Sequence, residues 1–138
     1  ALFFVFMDDE AGFQALRDRL APGRRDDFET GRSLALAFTG VNRPAGIARH
    51  ITAARGEQDR AARLLGITWA LTAREMNDPD YFLECLDPLA PAERELLRRL
   101  PQLCREALAA SASYEQWRTK TQDAAVEAYA ASEEVRRR

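Results

Sequence analysis

One histidine, two cysteines and a few acid clusters are the residues of this 138-residue chain best suited to chemistry. His50 with Cys85 and Cys104 would be the natural donors for zinc, which prefers imidazole nitrogen and thiolate sulfur. The two cysteines lie 19 residues apart, with no CxxC pair and no histidine near either. That spacing favours neither a zinc centre nor a Cys–His nucleophile pair. Both fall on apolar helical faces, where free cysteine behaves as a small hydrophobe, and free thiols fit a reducing, cytoplasmic compartment. His50 is expected as a partly buried side chain beside Ile47 and Ile51. Asp26-Asp27-x-Glu29 and Asp78-x-Asp80-x-x-x-Glu84 could offer oxygens to Mg²⁺. Both sit at expected helix starts, where capping accounts for acids without a metal. No phosphate loop, dinucleotide fingerprint, nucleophile elbow or HExxH pair is present. The residues therefore indicate no metal, no cofactor and no catalytic group, and the reading leans away from an enzyme.

One stretch resembles a known family. Phe3-Phe4-Val5-Phe6-Met7-Asp8-Asp9-Glu10, followed by Leu16 and Leu20, is similar to the opening of a response-regulator receiver domain. The resemblance implies a hydrophobic strand that delivers two acids to a Mg²⁺ site. It covers about a fifth of the chain. No later strand ends in a phosphoacceptor Asp, and the sole lysine, Lys120, falls in the last helix. The residues themselves read as a short strand ending at Phe6, then an acidic helix cap.

Charge and arginine usage suggest a second kind of site. The net charge is −2, but residues 23–56 carry 6 Arg against 3 acids while 57–88 carry 3 Arg against 7. Arg24, Arg25, Arg43 and Arg49 are the candidates for contacting an anion or a nucleic-acid backbone, as is the terminal Arg136-Arg137-Arg138. The balance falls short of a dedicated nucleic-acid binder, and no aromatic platform accompanies these residues. A single Lys beside 19 Arg, with 25 Ala, fits the codon bias of a GC-rich bacterial genome. The first residue is Ala, which reads as a trimmed chain or as one piece of a longer one.

Helical periodicity must position these residues. Phe13, Leu16 and Leu20 mark a first helix, which Ala21-Pro22-Gly23 ends. A second is expected from Asp26 or Asp27 to about Thr39, and a third after Asn42-Arg43-Pro44, with Asn42 as cap. Gln58 to Asn77 is the clearest, with stripes at Ala61, Leu65, Trp69, Thr72, Met76 and at Leu64, Ile67, Leu71. Two adjacent stripes make it the central helix, and Gly66 within it marks a close crossing. Asp78-Pro79 starts a short helix. Leu89, Leu96, Leu100, Leu103 and Ala107 keep one face through Pro101, as a kinked helix or two end to end. Ser113 with Gln116 forms a capping-box pattern for the last helix.

In that last helix Tyr114, Trp117, Thr121, Ala124, Ala128, Ala131 and Val135 repeat at spacings of three and four. The seam is bulky at its start and shallow afterwards, suited to close packing against another helix. The expected fold is all-α: a compact bundle of about six helices in one domain over residues 1–138, with or without a short N-terminal strand. The expected function is a non-catalytic protein–protein interaction or regulatory module. Its partner would be another protein or a second copy, met through Tyr114, Trp117, Thr121, Ala124, Ala128 and Ala131. The alternative is an anion- or nucleic-acid-contacting subunit that uses the 23–56 arginines. A third reading is a small-molecule-binding bundle or unrecognised enzyme, lined by Trp69, Tyr81 and Tyr114. No apolar run approaches the ~20 residues that span a bilayer, so no membrane is expected.

Overall fold

The computed structural model describes residues 9–138, and these form seven helices and no strand. They are α1 (Glu10–Asp18), α2 (Pro22–Thr39), α3 (Pro44–Thr52), α4 (Glu57–Asn77), α5 (Pro79–Leu86), α6 (Pro91–Ala109) and α7 (Tyr114–Arg137). The all-α reading holds for these residues. The expected strand, ending at Phe6, lies outside them.

Local chemistry sets the boundaries. The Asp9 carboxylate accepts the Gly12 N–H at 2.8 Å and opens α1. Asp78 accepts from the Tyr81 N–H at 3.1 Å and opens α5. Ser113 accepts the Gln116 N–H, and the Gln116 side chain returns to the Ala112 N–H at 2.8 Å. These caps satisfy donors that a helix start leaves without partners. Two expected starts move. Pro22 does not close the first helix but opens α2 at its first position, because Pro lacks the N–H that would go unpaired there anyway. Arg43, not Asn42, occupies the cap position of α3, again with Pro at the first position. Pro101 is absorbed inside one helix, α6, rather than splitting it.

α4 is the central helix, packed against every other helix except α1 in substantial contact. Leu64, Ile67 and Leu71 have no exposure, and they join Ile47 and Ile51 of α3, Phe82 and Leu86 of α5, and Leu97 and Leu100 of α6 in one core. The other stripe runs out at Met76, which is 71% exposed. α2 crosses α4 at Gly66. A Cβ there would lie inside contact distance of the Thr30 carbonyl oxygen, and 2.9 Å from the Leu34 nitrogen. The Thr30 hydroxyl then donates across the crossing to the Ala62 carbonyl at 3.1 Å. Gly66→Ala is accordingly expected to cost about 3 kcal/mol or more, at the upper end of overpacking penalties, because the obstructing atoms are backbone. Chemical denaturation measures it, and a loss under about 1 kcal/mol would show that the crossing is not this close.

Candidate functional site

Two places gather polar or exposed apolar groups in a way that needs explaining. The first is a buried ionic cluster, which sequence reasoning did not find. Glu29 belongs to the second turn of α2 and is fully buried, not a capping acid. Arg63 of α4 places its Nε 3.1 Å from Glu29 and its Nη2 3.2 Å from Asp59. Arg17 of α1 approaches Glu29 at 3.8 Å and Asp59 at 3.5 Å. Arg32 pairs with Glu10 and lies over the Phe13 ring, so part of the basic segment's charge points inward. Burial pushes the Glu29 carboxyl above its usual range, against the pull of Arg63. Arg32 holds Glu10 down at about 2.

His50 belongs to this cluster rather than to an apolar face. Arg63 donates to its carbonyl at 2.8 Å and lies 3.2 Å from its Nδ1. An arginine can only donate, so Nδ1 is the acceptor and Nε2 carries the hydrogen, which points to the Ser33 hydroxyl at 2.8 Å. Burial first, then Arg63 and Arg32, lower its pKa to about 3. This is the wrong tautomer to activate a serine, since a general base must accept at the nitrogen facing the hydroxyl. Ser33 and Glu29 have no exposed surface, so no substrate touches either while the helices stay packed. The cluster ties α1, α2, α3 and α4 together electrostatically. Among the described residues no group of three or more His, Cys, Asp or Glu side chains is gathered to hold a metal. Cys104 is buried, Cys85 is half-buried, and both are free thiols.

The second place is the antiparallel pair α6 and α7. Near their connecting loop the pair is sealed. Trp117 packs on Trp69 of α4 with ring centroids 5.5 Å apart, and its Nε1–H donates to the Cys104 carbonyl at 3.3 Å. Tyr114 lies 6.0 Å from Trp117 and is 58% exposed. Thr121 and Ala125 are fully buried. At the far end Ser132 donates to the Ala92 carbonyl at 3.2 Å, and Arg136 meets Glu93 at 3.0 Å. From Leu103 and Ala124 to Pro91 and Val135, past the Ser132–Ala92 bond, a groove of about 620 Å³ stays open. Leu96 and Leu103 form its floor, Ala124, Ala128 and Ala131 one wall, and Val135 its end.

The six seam residues therefore divide. Trp117 and Thr121 face the bundle and Tyr114 is mostly exposed, whereas Ala124, Ala128 and Ala131 line the groove, the first two also touching the edge of the core. Ala125, absent from the expected seam, is the alanine that the core takes. One position along a helix is ~100° of rotation, so Ala124 and Ala125 face different neighbours. The signal was present in the sequence as a small residue four after Thr121.

The four candidate arginines are not brought together. Arg25 donates to the Leu20 and Asp18 carbonyls at 3.0 and 3.2 Å, closing the end of α1. Arg24 is exposed beside it. Arg43 and Arg49 share a separate cleft with Leu36, Thr39 and Ile47, past the other end of α2. With 18 residues, α2 is ~27 Å long, too far for one small anion to meet both pairs. Of the aromatic trio, Trp69 and Tyr114 meet at 6.3 Å, while Tyr81 stands on α5, 44% exposed.

The receiver resemblance does not extend to the fold. Asp9 serves as a helix cap, and the described residues contain no parallel sheet on which such a Mg²⁺ site is built. Compared with protein-family models, curated proteins and solved structures, the chain matches none of them. No helix of the described residues is long and apolar enough to cross a membrane.

Proposed function

We propose that this chain is a non-catalytic helical interaction module that receives a partner helix in the α6–α7 groove. One observation carries the reading: an apolar groove of about 620 Å³ is left open along α6 and α7. Apolar surface of that kind is stabilised by whatever removes it from water, at ~25 cal/mol per Å². A concave strip between two helices has the shape that an amphipathic helix fills. Small side chains on the α7 wall let a third helix approach closely.

Ala128→Glu tests this reading. It puts a charge in the middle of the groove, and Glu is nearly as good a helix former as Ala. We expect the thermal midpoint of the isolated chain to stay within the range of a surface substitution, about 0.5 kcal/mol. Association, read as self-association or co-purification, should be lost. So should the fluorescence gain of Nile red, an uncharged dye that brightens in apolar surroundings. If the substituted chain unfolds, or binds the dye as the parent does, the groove is not a docking surface.

A further inference from the structure

We infer that the cleft between the end of α2 and the start of α3 binds a small phosphate monoester with an apolar group, through Arg43 and Arg49. The cleft shares no residue with the α6–α7 groove, so the two sites stand or fall separately. Its volume of about 600 Å³ is that of a small-molecule pocket. Leu36, Pro44 and Ile47 give it an apolar lining, and its charged lining residues are the two arginines alone. Asp87, next to Pro88 at the edge, does not line it.

Elsewhere in the bundle Arg32, Arg63 and Arg118 each meet an acid. Neither the Arg43 nor the Arg49 side chain has a hydrogen bond or ion pair among the described residues. Arg49 Nη2 lies 3.8 Å from the place that a Cβ on Gly46 would take, so its guanidinium folds back over the first turn of α3. That is the positive end of the helix, where a cation is repelled and an anion is favoured. Arg43 occupies the cap position of the same turn and makes no side-chain capping bond. Residues three apart on a helix are neighbours, so Arg43 flanks the spot to which Arg49 returns. Two cations thus share one place that no acidic side chain of the described residues compensates.

Charge selects the ligand. A phosphate monoester carries between one and two negative charges at neutral pH and offers three acceptor oxygens. Both guanidinium forks can therefore bond it at once. A carboxylate has one charge and two oxygens, which a single arginine already satisfies. The apolar lining is left for the organic group, whose removal from water adds to the binding.

The test is a titration of the full chain with phenyl phosphate at low salt, read by NMR at the Ala45, Gly46 and Ile47 amides. A molecule of this size reaches about millimolar affinity, so saturable shifts are expected by about 20 mM. Inorganic phosphate and benzoate should each bind about tenfold more weakly, for want of the apolar group and of the second charge. Arg43→Gln and Arg49→Gln, both on exposed side chains, should each weaken phenyl phosphate about tenfold. Gly46→Glu sets a carboxylate beside Arg49 as a competitor within the chain. A Cβ there meets only the tip of Arg49, and an acid in the first turn favours the helix. That variant should lose binding while its thermal midpoint stays level or rises. No saturable shift by about 20 mM overturns the inference. So does inorganic phosphate or benzoate binding as tightly as phenyl phosphate, or a folded Gly46→Glu chain that binds as the parent does. Tighter binding of a single-stranded oligonucleotide without a terminal phosphate also overturns it, and would make the cleft part of a nucleic-acid surface.

Discussion

Arg63→Ala is expected to cost about 3–5 kcal/mol, the range seen when one partner of a buried ion pair is removed. Arg63 is 4% exposed and serves Glu29, Asp59 and the His50 carbonyl at once. Without it, Glu29 keeps Arg17 at 3.8 Å, the neutral His50 Nε2–H at 3.7 Å and the field of Arg32, none of them at the 3.1 Å of Arg63, so the core must hold a carboxylate with weaker compensation. That loss is a large part of the ~5–15 kcal/mol that stabilises an ordinary domain. Urea unfolding at neutral pH measures it. Arg98→Ala is the control, because its pair with Glu95 is exposed on both sides and such pairs contribute ~0–1 kcal/mol. The Arg63→Ala deficit should shrink on acidification, since a protonated Glu29 no longer needs a cation. A deficit below about 1 kcal/mol at neutral pH would show that the cluster is not held by ionic contact.

The second large effect is acid destabilisation from His50. Its folded pKa of about 3 lies below the ordinary value of 6.5, so the unfolded chain binds a proton that the folded chain refuses. Stability from this group is complete above pH 6.5 and is lost as pH falls toward 3. The slope is ~1.4 kcal/mol per pH unit for one proton, about 2 kcal/mol already at pH 5. Glu10, held at about 2, adds a loss of the same sign only below 4.5. Glu29 acts oppositely: its raised pKa means that the folded state takes up that proton first, which offsets part of the loss. His50→Gln keeps Glu29, so the difference between the two chains from pH 6.5 to 5 isolates the histidine. Denaturation midpoints from pH 6.5 to 5 should fall more steeply in the parent chain than in His50→Gln, by about 2 kcal/mol over the window. An equal slope in both would place the titrating group elsewhere.

Helix identity and most helix ends were legible because they depend on neighbours in sequence. Asp78, Ser113 with Gln116, and Gly40 act on backbone groups within four residues, and periodicity placed Leu64, Ile67 and Leu71 inward. Gly66 was legible as a close crossing for the same reason, since a glycine in a good helix requires a cause. Pro22 was misread because proline both ends one helix and begins the next, and only the following turns decide which.

The ionic cluster was not legible. Glu29, Asp59, Arg63, Arg17 and His50 come from four helices, and each looks like an ordinary surface residue along its own segment. Asp59 and Arg63 are four apart, which any exposed helical pair also shows. Only the crossing of α2 on α4 turns that spacing inward, by bringing Glu29 over Arg63. The groove divides the same way. Residue spacing determined that Ala124, Ala128 and Ala131 share a face, because the helical period alone sets that. Whether that face is core or groove was decided by the tertiary structure. α7 turns Thr121 and Ala125 toward α4 and α6, and a helix can press only one side against its neighbours. Ala124 and Ala128, beside that side, touch the edge of the core and with Ala131 line the groove.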